Sequence, residues 1–245
     1  MVVAHTASFI RDRDTCQLGV GPAAEAAVEF LRNQHDLGVH SELIFPGVVE
    51  LVVRAGVVTD ASKNMDRSKV VTTELIGSPS DPRLVAATRF VSEHPKLFES
   101  RSVPRVANVK YSGGDRELRG REQHAGRGPH RPGGDQLPGS PAHRRHRRQL
   151  RLHRGQPLRQ GGRGVYYLLS TAQGGRASRV VPQIPHGPYQ VVAVPNYIGD
   201  YLVTEHGVVN LEGKSLRQRA EAIISIAHPD FRAELRRAAR TLGLV

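Results

Sequence analysis

One stretch limits how this chain can fold more than any other. Residues Tyr111 to Gly164 hold thirteen Arg and no Lys against two Asp and two Glu, so nine of the chain's twelve net positive charges lie in 54 residues. The same stretch carries twelve Gly, five Pro and five His, but only eight hydrophobic residues and no Val, Ile, Phe or Met. That little apolar surface cannot offset the conformational entropy lost on ordering a chain. The tract is therefore expected to be disordered on its own, and it divides the sequence softly into 1–100, 101–164 and 165–245.

Outside the tract, 245 residues with 38% hydrophobic content allow a real core. The single cysteine, Cys16, excludes a disulfide framework and a Cys-rich metal site. No run of eighteen apolar residues and no signal-peptide order near Met1 are present, so the expected location is cytoplasmic. No metal is expected: His143 and His146 lie among arginines with no carboxylate or thiol at ligand spacing.

The flanking parts read as an α/β protein. Thr15 to Val20 is a short strand ending in the turn Gly19-Val20-Gly21, and Pro22 suits the first turn of a helix whose apolar face is Ala23, Ala26, Ala27, Phe30 and Leu31. Leu37–Leu43 and Val70–Ile76 read as strands, Pro46–Arg54 and Pro82–Ser92 as helices. After the tract, Val165–Leu169, Arg179–Val181, Gln190–Val194 and Tyr201–Thr204 are strand candidates. Ser215–Ile226, with Leu216, Ala220, Ile223 and Ala227 on one face, and Pro229–Leu242 read as helices.

Several ordered motifs go further than periodicity. Gln17-Leu18-Gly19-Val20-Gly21, Gly38-Val39-His40-Ser41-Glu42, Val48 to Asp60 and Lys69 to Gly77 are followed by Ser170 to Gly175, Ser178 to Pro182, Val203 to Val208 and Ile226 to Phe231. In these the chain resembles the acetyl-CoA hydrolase and transferase family, which includes 4-hydroxybutyrate and acetate CoA-transferases, over its C-terminal half only. The resemblance implies an open α/β sheet of the CoA-transferase superfamily, interrupted by the Arg/Gly/Pro tract. It also implies an acyl-CoA:carboxylate CoA-transferase or acyl-CoA hydrolase of acetyl-CoA metabolism.

By position in the His-Ser-Glu motif, Glu42 would be the nucleophile that becomes a glutamyl-CoA thioester. Gln17, Gly19, Val20 and Gly21 would approach coenzyme A, as would Gln173 and Gly174, where Gln173 stands in place of the family's usual lysine. Acyl-CoA and a small carboxylate are the implied substrates, with no permanently bound cofactor, and a homodimer or a complementing amino-terminal domain the implied partner. Glu205 and His206 fit a family turn in which structural hydrogen bonds are expected. Because the family's amino-terminal domain is absent, the chain is expected to be a truncated and inactive remnant.

The family's VDLTGQV and GIGGxxDF motifs are missing between the two matching parts. Synonymous codons exist for His124 to Asp135 which, read one nucleotide later, give TRAVDLTGQVA. At the same offset, codons for His143 to Gly155 give TGAIGGNSDFIA. A compensated pair of frame changes, near Pro104–Arg121 and Gln156–Gly164, is therefore expected to have produced the basic tract. The competing reading, a nucleic-acid-binding protein using the thirteen arginines, has strong phosphate attraction in its favour. Against it, Tyr111 is the tract's only aromatic residue and no recognisable binding motif is present, so incidental binding is expected.

Overall fold

The computed structural model describes residues 2–19, 21–53, 56–63, 65–108, 124–125, 162–183 and 200–245. The expectations for the basic tract, apart from His124, Ala125 and Gly162 to Gly164, lie outside the described residues, as do those for Val20 and Gln190–Val194.

A short helix α1 (Val2–Ala7) precedes β1 (Thr15–Cys16), and three βαβ units follow. Helix α2 (Pro22–Glu29) with a 3₁₀ turn at Phe30–Asn33 leads to β2 (Gly38–Ile44). Helix α3 (Pro46–Val53) leads to β3 (Val70–Leu75), and α4 (Pro82–Glu93) leads to β4 (Phe98–Ser100), after which comes α5 (Val103–Val106). The four strands form one sheet in chain order with every neighbouring pair parallel. Such pairing requires a crossover between consecutive strands, and the helices supply it.

Phe30, expected on the apolar face of α2, is 52% exposed. The chain tightens to three residues per turn at Phe30, which changes the phase of the face and turns Leu31, 2% exposed, into the core instead.

The remaining strands are β5 (His124–Ala125), β6 (Val165–Tyr167), β7 (Thr171–Ala172), β8 (Ala177–Ser178), β9 (Tyr201–Thr204) and β10 (Gly207–Asn210). They make a second four-stranded sheet of order β10-β9-β6-β5 and the separate two-stranded hairpin β7-β8, and with the parallel first sheet the described residues form the expected α/β fold. The expected strand Arg179–Val181 is instead a bend. Ser178 Oγ donates to Val180 O (2.7 Å) and accepts from Val180 N (3.2 Å), occupying the backbone groups a ladder would need.

Helices α6 (Leu216–Ser225) and α7 (Pro229–Thr241) close the chain. A reciprocal cap starts α6: Ser215 Oγ accepts from Gln218 N (3.3 Å) and Gln218 Oε1 accepts from Ser215 N (2.9 Å). Leu216, expected on the buried face, is 60% exposed at the first position of that helix.

Among the described residues, apolar packing and an ion pair both tie the second sheet to the first. Val2 of α1 packs in an apolar cluster with Val165, Tyr167 and Val203, while Ala7, at the other end of α1, belongs to the main core. Arg163 Nη2 reaches the buried carboxylate of Asp14 at 3.2 Å.

The main core is organised around β2, and its strongest constraint is polar. The fully buried Lys63 ammonium lies 3.0 Å from Asp60 Oδ1 and donates to Val39 O (3.0 Å) and Lys69 O (2.6 Å), so its three protons have three acceptors. Asp60 Oδ1 accepts from Val39 N (2.7 Å). Burial pushes the Asp60 carboxyl above its ordinary value, opposed by the adjacent ammonium and the Val39 amide.

The Lys63 stem lies over Gly38. A Cβ at that position would sit 2.7 Å from Thr15 Oγ1 and 2.8 Å from Lys63 Cγ, so only glycine admits both neighbours.

Two predictions follow from this clamp. Lys63→Met leaves a buried carboxylate without its cation and should cost about 3–5 kcal/mol at pH 7. A carboxyl with a raised folded-state pKa is favoured in its neutral form, and losing the ammonium raises that pKa further. The penalty should therefore shrink between pH 7 and pH 4.5, read from denaturant unfolding at both pH values. Gly38→Ala should destabilise by about 1–3 kcal/mol through overpacking, with a smaller loss in a Lys63→Ala background; a double-mutant cycle measures the difference.

Candidate active site

In open α/β sheets, ligand sites form outside the carboxyl ends of the parallel strands. Here β1 ends at Cys16, while β2, its neighbour, continues to Ile44. The ladder between them pairs Thr15 with Gly38 and Cys16 with Val39, which leaves the last residues of β2 without a strand on that edge.

Side chains take over there. Gln17 is 7% exposed; its Oε1 accepts from Glu42 N (3.3 Å) and its Nε2 donates to Leu18 O (2.8 Å). Ser41 Oγ accepts from Leu18 N (3.2 Å) and lies within donating distance of Leu18 O (3.2 Å) and Leu43 O (2.7 Å). On the other edge, Thr72 Oγ1 of β3 lies within donating distance of both Glu42 O (3.2 Å) and Glu74 O (3.2 Å). Both main-chain groups of Glu42 thus have side-chain partners on neighbouring segments, and Glu42 itself is half-buried.

Strand alternation puts Glu42 on the same face as His40. The buried His40 Nε2 is 3.0 Å from Val106 O at the end of α5, so this face is the one α5 covers. The structure therefore brings Gln17 to the main chain of Glu42 and Leu18 to Ser41.

Gly19 is half-buried, and Gly21 precedes α2 with φ 124°, a backbone conformation that side chains rarely permit. Its carbonyl accepts the first bonds of the helix, from Ala24 N (2.9 Å) and Glu25 N (3.1 Å).

Gln173 and Gly174 lie elsewhere, at the exposed tip of the β7-β8 hairpin, with φ 53° and 66°. The described contacts of that tip stay within it: Gly175 N donates to Ala172 O (3.1 Å) and Arg176 Nε to Gln173 O (3.1 Å). No described hydrogen bond joins this tip to Glu42.

The hairpin is anchored at its base by a second carboxylate. Glu205, on the β9-β10 turn, accepts from Ser170 N at 3.0 and 2.9 Å and from Ser170 Oγ at 2.5 Å. Burial opposes charge on Glu205, but the Ser170 hydroxyl and amide outweigh it and hold the carboxyl below its ordinary value. His206 lies beside it, its Nε2 3.7 Å from Glu205 and its ring edge-on to His228 at 5.2 Å.

Sequence reasoning missed Thr72, and no local signal marks it, because its role comes from the β2-β3 register that sets Ser41 opposite Thr72. It also missed the link from Ser170 to Glu205, whose partners are 35 residues apart. Ser41 stood in the motif that pointed to Glu42 but was given no role.

The chain is similar to several known proteins. Residues 148–239 match the acetyl-CoA hydrolase/transferase C-terminal domain. The chain is 36% identical to 4-hydroxybutyrate coenzyme A transferase of Clostridium kluyveri, over 94% of this chain and 52% of that protein. It is 29% identical to succinyl-CoA:cyclohexane-1-carboxylate CoA transferase of Geobacter metallireducens, over 98% and 53% respectively.

Among solved structures, RipA from Yersinia pestis is similar with a TM-score of 0.80 at 32% identity, over 100% of this chain and 52% of that one. A 4-hydroxybutyrate CoA-transferase from Porphyromonas gingivalis is similar with a TM-score of 0.77 at 31% identity, over 98% and 55%. The chain spans about half the length of the curated relatives it matches. Residues 148–239 thus match the C-terminal domain of the acetyl-CoA hydrolase/transferase family, and nearly the whole chain is similar to CoA-transferases.

Proposed function

We propose that this chain is the nucleophile-bearing half of an acyl-CoA:carboxylate CoA-transferase, with Glu42 as the nucleophile. The observation that carries the reading is the immobilised main chain of Glu42. Gln17 holds its N–H and Thr72 its carbonyl, at the carboxyl end of a central parallel strand. A carboxylate is a weak nucleophile, and fixing its backbone beside the substrate removes orientational entropy from the reaction.

In this reading the Glu42 carboxylate attacks the thioester carbonyl of an acyl-CoA and expels the CoA thiolate, leaving a mixed anhydride. The thiolate then attacks the glutamyl carbonyl, releases the acyl group as a carboxylate and forms the glutamyl-CoA thioester. A second carboxylate completes transfer by attacking that thioester; water in its place makes the chain a hydrolase. Gly19, Val20 and Gly21, which follow Leu18 and its bonds to Gln17 and Ser41, are the proposed contact for CoA near the reacting carbonyl. Gln173 and Gly174 are proposed as a second contact, reached by the hairpin tip. The substrates are an acyl-CoA and a small carboxylate, and steady turnover needs a complementing amino-terminal half.

Single-turnover labelling tests this. Incubation of the purified chain with acetyl-CoA should add CoA, with loss of water, to the peptide containing Glu42, and no such adduct should form in Glu42→Gln. Gln17→Ala should slow labelling by about tenfold, as loss of one positioning hydrogen bond implies, without moving the labelled residue. No adduct in the wild-type chain, or an adduct that survives Glu42→Gln, removes Glu42 from the role.

We also propose that the tract between frame changes near Pro104–Arg121 and near Gln156–Gly164 is an out-of-phase reading of a family core segment. The gene decides this. Its codons for His124–Asp135 and His143–Gly155, shifted by one nucleotide, should spell the VDLTGQV and GIGGxxDF motifs, and any other reading overturns the proposal.

A further inference from the structure

Beside Glu42, Thr73 of β3 carries a polar group that the fold leaves unused. Its Oγ1 is shielded from solvent and has no hydrogen-bond partner among the described residues. A buried hydroxyl in that condition costs stability, so its presence calls for a physical reason. Nearby polar side chains are committed elsewhere. Ser100 Oγ donates to the Thr73 carbonyl (2.9 Å), and the Arg101 guanidinium is bound to Asp66 (2.6 Å) and Glu99 (2.6 Å).

The β2-β3 register shows what lies next to this hydroxyl. Ser41 is paired with Thr72 and Leu43 with Glu74, so Glu42 and Thr73 stand side by side between those pairs. Neighbouring strands are about 4.8 Å apart and alternate residues share a face, so both side chains project from the face that carries His40 and Val71. His40 and Val71, paired one step earlier, are 3% and 0% exposed, and α5 packs against both strands. Both residues of the next pair toward the strand ends, Glu42 and Thr73, are half-buried.

In the reaction proposed for Glu42, the CoA thiolate bonds to the glutamyl carbonyl carbon of the anhydride, and the C=O electron pair moves onto the glutamyl oxygen. As that carbonyl re-forms, the C–O bond to the acyl group breaks and the acyl carboxylate leaves with the bonding electrons. The oxygen that is charged in between belongs to Glu42, so a donor held beside Glu42 is in place for it. A hydroxyl without a partner in the resting protein adds nothing to the ground state and engages as the charge develops, which is how a hydrogen bond lowers a barrier.

Given Glu42 as the nucleophile, we infer that Thr73 is a further catalytic residue of the same site, its hydroxyl donating to the glutamyl oxygen as the thiolate attacks. The hydroxyl keeps its proton throughout.

Single-turnover labelling over a range of acetyl-CoA concentrations, with the wild-type chain, Thr73→Val and Thr73→Ser, tests this. Valine suits a strand as well as threonine does and removes the hydroxyl. Thr73→Val should still carry CoA on Glu42, with the maximal labelling rate lowered about a hundredfold and the half-saturating acetyl-CoA concentration unchanged. Thr73→Ser, which restores the donor, should recover most of the rate. With the unpaired hydroxyl gone, the urea midpoint of Thr73→Val should rise, so slower chemistry accompanies a more stable fold. An unchanged maximal rate in Thr73→Val, a loss confined to the half-saturating concentration, an equal loss in Thr73→Ser, or a lower urea midpoint overturns the role of Thr73 and leaves Glu42 in place. An unlabelled wild-type chain removes Glu42, and Thr73 with it.

Discussion

The buried pair of Asp60 and Lys63 is the contact on which the first half of the molecule depends. A lysine ammonium without water is costly, and it is tolerated here because Asp60, Val39 O and Lys69 O take all of its protons. Those three partners belong to the loop after α3, to β2 and to the approach to β3. One cation therefore fixes where the crossover returns and how β2 sits against it. The demand then passes to Gly38, since any side chain there would meet the lysine stem and Thr15. A polar requirement in the crossover has become a steric requirement at the start of β2.

That constraint reaches Glu42, four residues beyond Gly38 on the same strand. Strand β2 is anchored at its beginning by the ion pair and at its far end by Gln17, Ser41 and Thr72. Between these anchors the backbone has little freedom, so the position of the Glu42 carboxylate is set mainly by its own side-chain rotamers. The early end of β1 contributes directly: had β1 continued beyond Cys16, a strand rather than the Gln17 amide would have bonded the Glu42 N–H, and the Gly19–Gly21 turn would begin elsewhere.

What could be read from the sequence follows the range of the forces involved. Pro22 after a glycine turn and the apolar spacing of α3 and of Ala220 and Ile223 in α6 are local signals, and α2, α3 and α6 form where they indicate. Glu42 stood out through its motif, and the structure puts Gln17, from the motif before it, on its main chain. Lys63 was not legible. In the polar run Ala61 to Lys69 it reads as a solvated loop lysine, because two of its partners, Val39 and Lys69, are brought to it only by the sheet. Phe30 and Leu216 failed for the opposite reason: both fit a helical face by spacing, but Phe30 lies where the helix tightens and Leu216 at a first position that projects into solvent. Val181 failed through a single hydroxyl, that of Ser178, which competes locally with strand pairing.

The two carboxylates near the functional motifs show how one residue type is put to different uses by its surroundings. Glu205 accepts three hydrogen bonds from Ser170, and these hold it ionised against burial. That carboxylate is committed to the base of the hairpin, and the donors that lower its pKa also reduce its basicity and its nucleophilicity. At Glu42 the hydrogen bonds with Gln17 and Thr72 act on the main chain and fix the strand that carries it. In the role proposed for Glu42, a fixed strand serves the reaction by limiting the search of the carboxylate to its own side-chain rotamers.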